Sequence, residues 1–65
     1  MKIILNNVEQ QSNSQNLADL LDEFQIETKG IAVGLNSRVV ARTSWATTPI
    51  NEGDKVVIVS AVFGG

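Results

Sequence analysis

Lys55-Val56-Val57-Ile58-Val59 decides the architecture of this 65-residue chain. The run is dominated by β-branched residues and follows the turn signal Glu52-Gly53-Asp54, so it reads as a strand. Side chains alternate along a strand, which puts Val56 and Ile58 on one face and Lys55, Val57, Val59, Ala61 and Phe63 on the other. A strand apolar on both faces belongs in the middle of a sheet.

Working outward, the same alternation recurs at the start of the chain. Met1, Ile3 and Leu5 turn inward, and Ile4 is left as an apolar residue on the outer side. Asn6-Asn7 tolerates the positive φ of a tight hairpin turn, and Val8 to Gln11 returns as a polar edge strand. Leu17, Leu20, Leu21 and Phe24 then fall at i, i+3, i+4 and i+7, one apolar stripe on one helix. Asn16 is the natural N-cap, with Ser14 in competition, and the helix is expected to end near Gln25 with Ile26 folding back and Gly30 in the link. Asp19, Asp22, Glu23 and Glu27 read as a solvated face rather than a metal cluster.

Ile31, Val33 and Leu35 alternate with Ala32 and Gly34, Asn36-Ser37 turns the chain, and Val39-Val40-Ala41 runs back. Thr43 to Ala46 has room for one helical turn, and Thr48-Pro49 breaks the chain. Strand hairpin, helix, strand hairpin, turn, strand, with the first and last strands side by side and the second and fourth at the edges, is the organisation of the β-grasp fold. The expectation is one α+β domain over residues 1–65, a mixed sheet of about five strands with one helix on one face, and a flexible Gly64-Gly65 tail. Its core would be Ile3, Leu5, Leu17, Leu20, Leu21, Phe24, Val33, Leu35, Val56 and Ile58.

Composition narrows the chemistry. The chain is 43% hydrophobic and 18% charged, which is globular, and it contains no Cys and no His. Thiolate or imidazole catalysis and the usual zinc and iron–sulfur ligand sets are therefore closed to it. A net charge of −2 with scattered Lys and Arg argues against nucleic acid as a partner. No apolar run approaches the ~20 residues of a membrane span, so the expected setting is the cytoplasm.

The final strand runs straight into Phe63-Gly64-Gly65. Glycines lack a Cβ, so an extended Gly-Gly passes through a narrow channel and leaves its carbonyl carbon unshielded. A terminal carboxylate with a pKa of about 3.5 is ionised and a poor electrophile, so acyl chemistry at Gly65 needs prior activation, most simply as an acyl-adenylate. The chain has no phosphate-binding loop for that step, and activation must come from another protein. Ile4, Val57, Val59 and Phe63 share the face away from the helix, where no segment remains to cover them, and are the candidate partner-docking face. Trp45 reads as an anchor at the edge of the core with Arg42 over its ring, and Asn36 as a turn former.

Leu35-Asn36 followed by Val39-Val40, Arg42 three residues before Trp45, Gly53-Asp54 before the last strand and the terminal Gly64-Gly65 together resemble the ThiS family, the bacterial sulfur carriers of thiamin biosynthesis. The resemblance covers the whole chain. It departs at Ala41, where many relatives carry Pro, and at Phe63, where smaller residues are common. The resemblance implies a carrier that is a cosubstrate rather than an enzyme and holds no cofactor or metal stably. An adenylating partner would use ATP and Mg on the Gly65 carboxylate, sulfur from a cysteine-derived persulfide would replace AMP, and the thiocarboxylate would donate sulfur to thiazole synthase. Alternatives with the same terminus are a carrier of the molybdopterin synthase small-subunit type and a ubiquitin-like modifier. A plain interaction module with an inert tail is a further class.

Overall fold

The computed structural model describes residues 1–60. Five strands form one sheet: β1 (Lys2–Leu5), β2 (Val8–Gln11), β3 (Ile31–Leu35), β4 (Arg38–Val40) and β5 (Lys55–Ser60), in the order β2-β1-β5-β3-β4. β1 and β5 lie parallel in the centre, while β1–β2, β3–β4 and β3–β5 are antiparallel. This is the expected arrangement, with β5 in the middle and the second and fourth strands at the edges. Both hairpins use turns with two consecutive positive φ values, Asn6 and Asn7 (48° and 68°) and Asn36 and Ser37 (50° and 73°). That geometry matches the twist of the flanking strands, and asparagine tolerates it better than most residues.

The helix α1 (Leu17–Glu23) is short and closed at both ends. Asn16 Oδ1 accepts from the Asp19 amide at 2.8 Å, the N-cap expected. Gln25 takes a left-handed φ of 54°, and the Gln25 and Ile26 amides donate back to the carbonyls of Asp22 and Leu21, a Schellman closure that folds Ile26 over the helix end. Leu17, Leu20 and Leu21 are buried against Ile3, Val33 and Val56 of the sheet. Leu5, Phe24, Leu35 and Ile58, also expected in the core, pack against it while partly exposed.

Four local features differ from the sequence reading. Trp45 and Ile50 are core residues, at 6% and 5% exposure, although they sit in segments without periodicity. A 3-10 helix spans Arg42–Thr47, longer than the single turn expected. The two-residue Asn36-Ser37 turn starts β4 at Arg38, so the return strand covers Arg38–Val40 rather than residues 39–41. Ser14 is no cap: its hydroxyl, like that of Ser12, donates to Glu23 Oε1 (2.5 and 2.6 Å), and Glu23 Oε2 accepts from the Asn13 amide. Both serines are buried, so this one carboxylate satisfies donors that would otherwise lie unpaired.

Two outcomes test this packing. Leu21→Ala should cost about 2–5 kcal/mol in denaturant unfolding, a large share of what so small a domain holds. The hydrogen bonds from Ser12, then Ser14, then the Asn13 amide hold the Glu23 carboxyl below the usual glutamate range. A carboxyl whose folded pKa lies below its unfolded one adds stability above the unfolded value, and that stability is lost as pH falls through the folded value. Thermal unfolding across mildly to strongly acidic pH should therefore show a steeper fall for the natural chain than for Glu23→Gln.

Candidate functional site

Strand β5 builds the candidate docking face because it is held on both sides. Towards β3 its pairing runs from Leu35↔Val56 to Ile31↔Ser60, and towards β1 it covers Ile4↔Lys55 and Leu5↔Val56. Two turn asparagines extend the grip. Asn6 Oδ1 accepts from the Ile58 amide at 2.7 Å, where the β1 ladder ends, and Asn36 Oδ1 accepts from the Lys55 amide at 2.9 Å. Asn36 Nδ2 also donates to Asp54 Oδ1 at 3.1 Å, tying the turn before β5 to the turn after β3. Asn36 thus forms a turn, as expected, and also fastens the last strand.

With the register fixed, parity assigns the faces. Val56 is fully buried beneath α1, whereas Val57 and Val59 stand on the opposite face at 44% and 55% exposure. Ile4, adjacent through its pairing with Lys55, shares that face and is half-buried. The structure therefore brings three of the four expected docking residues together. Phe63, and the Gly64-Gly65 pair expected to carry the chemistry, lie outside the described residues.

One member of the face was missed. Val39 is 83% exposed, the most exposed large apolar side chain among the described residues, and pairs with Gly34, which in turn pairs with Val57. The three form one row across the sheet. The signal was in the Asn36-Ser37 turn: a two-residue hairpin pairs Leu35 with Arg38 and so puts Val39 on the outer side with Gly34.

Arg42 and Trp45 are accounted for by structure. Trp45 Nε1 donates to the Val40 carbonyl at 3.0 Å, and the Arg42 guanidinium lies 4.8 Å from the centre of the indole ring, with Nη2 donating to the Thr28 carbonyl. Among the described residues no group of three or more acidic side chains is placed to hold a metal ion, and no helix is long and apolar enough to cross a membrane.

A model of the ThiS family matches residues 3–65. Over 66 aligned positions the chain is 35% identical to a thiazole synthase of Paramagnetospirillum magneticum, matching along its whole length but spanning only 20% of that protein. It is 27% identical to the sulfur carrier protein ThiS of Escherichia coli, with both proteins covered in full. A crystal structure of the thiamine biosynthesis protein ThiS from Geobacter metallireducens superposes with a TM-score of 0.89 at 23% identity over the whole of both chains. A solution structure of a thiamine biosynthesis protein from the same organism gives 0.79, also at 23% identity, over 100% of this chain and 88% of that one. These likenesses bear on the fold, which is the ThiS β-grasp.

The face assignment has a direct test. Val59→Asp should change the unfolding free energy by no more than about 1 kcal/mol, the span of strand propensities. Val56→Asp, on the same strand but facing α1, should abolish cooperative folding, because it would bury an unpaired charge.

Proposed function

The chain belongs to the ThiS family, and from that premise we propose its function: it is a sulfur carrier of thiamine biosynthesis whose working group is the carboxylate of Gly65. The observation that supports this most is the family match itself, which runs through residue 65 and so includes Gly64-Gly65. An adenylating partner uses ATP and Mg to join AMP to the Gly65 carboxylate with release of pyrophosphate. Sulfur from a cysteine-derived persulfide displaces AMP at the same carbonyl carbon and leaves a thiocarboxylate. Thiazole synthase then takes that sulfur.

The chain's own part is presentation. It supplies no Cys or His for catalysis, in keeping with a cosubstrate. Main-chain pairing and the two asparagines fix β5, and the residues that follow Ser60 continue from that fixed strand towards the terminal glycines. Ile4, Val57 and Val59, with Val39 beside them and Phe63 further along the chain, form the surface through which both enzymes hold the carrier while its terminus enters their sites. The thiazole synthase that carries a segment similar to this whole chain supports a working relation between the two activities.

Appending a residue after Gly65, or deleting Gly65, should abolish AMP transfer while leaving the unfolding midpoint unchanged. Incubating the chain with the adenylating enzyme, ATP and a persulfide source should yield a species heavier by the difference between one sulfur and one oxygen, located in the C-terminal peptide. Val59→Asp should weaken binding to both enzymes without impairing the fold. Growth of a carrier-deficient, thiamin-requiring strain on a chain lacking Gly64-Gly65 would refute the assignment.

A further inference from the structure

The outer face of the sheet carries a groove. β3 contributes only Ala32 and Gly34 to it, while Val39 stands on one side and Val57 and Val59 on the other, with Arg38 beside Val39. The enclosed volume is about 280 Å³, below the roughly 300–1,000 Å³ that ordinarily holds a small-molecule ligand, and suits a protein side chain.

Gly34 sets the floor, and the fold gives no steric reason for a glycine there. A Cβ at this position would lie 3.6 Å from the Arg38 carbonyl oxygen and 3.9 Å from that of Val57, both ordinary contacts. Its backbone is not in the left-handed region. A glycine inside a strand weakens it, and a common compensation is the close approach of another molecule.

Charge points the same way. Parity puts Lys2 and Lys55 on the outer face and Arg38 lines the groove, three of the five basic residues of the chain. Glu9 is the one acidic residue at an outer strand position among the described residues. Asp19, Asp22, Glu23 and Glu27, four of the seven acidic residues, lie on α1 or in the loop after it. A chain of net charge −2 thus carries most of its basic groups around an apolar groove, and the complementary surface is an apolar side chain set among carboxylates.

We propose that the groove over Gly34 seats one apolar side chain of thiazole synthase, flanked there by acidic residues, and that Gly34 serves this seat rather than the fold. The inference rests on the function proposed above. Its test is titration calorimetry of the natural chain, Gly34→Ala, Gly34→Val and Arg38→Glu against thiazole synthase at low and high salt, with thermal unfolding of each. Gly34→Val should weaken binding roughly tenfold or more and Gly34→Ala less, both with unfolding midpoints unchanged or raised. Arg38→Glu should weaken binding and flatten its salt dependence. Natural affinity in Gly34→Val would overturn the groove and leave the carrier function standing. A lowered midpoint in Gly34→Ala would show that the fold does need the glycine and overturn its assignment to the seat. Failure of the natural chain to bind thiazole synthase would overturn the functional reading, and the groove proposal with it.

Discussion

The position of β5 between β1 and β3 is the constraint on which the molecule depends. Its inner side chain Val56 is fully buried in the cluster formed by Leu17, Leu20 and Leu21 of the helix, and its backbone joins the two hairpins into one sheet. No other strand touches both hairpins. Loss of β5 would leave two separate hairpins, and an isolated two-stranded hairpin is marginal at best in water. The same backbone that completes the core carries Val57 and Val59 on the reverse face and leads into the residues before Gly64. Fold and candidate site are thus two faces of one strand.

Regular periodicity made much of this legible. Parity in Lys55–Ser60 and Lys2–Leu5 was enough to place both strands centrally, and the Leu17, Leu20, Leu21 stripe was enough to put a helix on one face. Elements without a period were not legible. Ile50 is buried because the segment around Pro49 pairs with the loop before α1, through Leu17 N to Thr48 O and Ile50 N to Gln15 O, and no local pattern announces a contact of that kind. Trp45 is buried in a 3-10 helix, whose three-residue period over six residues is too brief to read. The Ser12 and Ser14 hydroxyls look like loop chemistry until Glu23 is seen to come back over them from the far end of the helix.

The turn asparagines show how local and distant information combine. Positive φ at Asn6 and Asn36 is a local preference, visible in the sequence as a hairpin signal. What their side chains do afterwards is not local: Asn6 reaches the Ile58 amide across 52 positions, and Asn36 reaches the Lys55 amide across 19. Both carboxamides are presented to β5 because the turn conformation has already fixed their backbones. Glycine would satisfy the turn equally well and leave the Ile58 amide without that acceptor.

The openness of the outer face follows from chain length. One helix covers one side of a five-stranded sheet, and a second covering layer would need another helix with its connections, which 65 residues already spent on five strands do not contain. β5 must nonetheless be β-branched at most positions to hold the middle of the sheet, so valines at its outer positions come with the strand. Exposed apolar side chains beside a narrow floor of Ala32 and Gly34 are therefore the default product of this architecture, available for recognition without any element added for that purpose. The basic groups around them do not follow from the fold in the same way, because Lys2, Arg38 and Lys55 are exposed and the strands would form with acidic or neutral residues there. In this face, the apolar part is dictated by folding and the charged part is free to specify the partner.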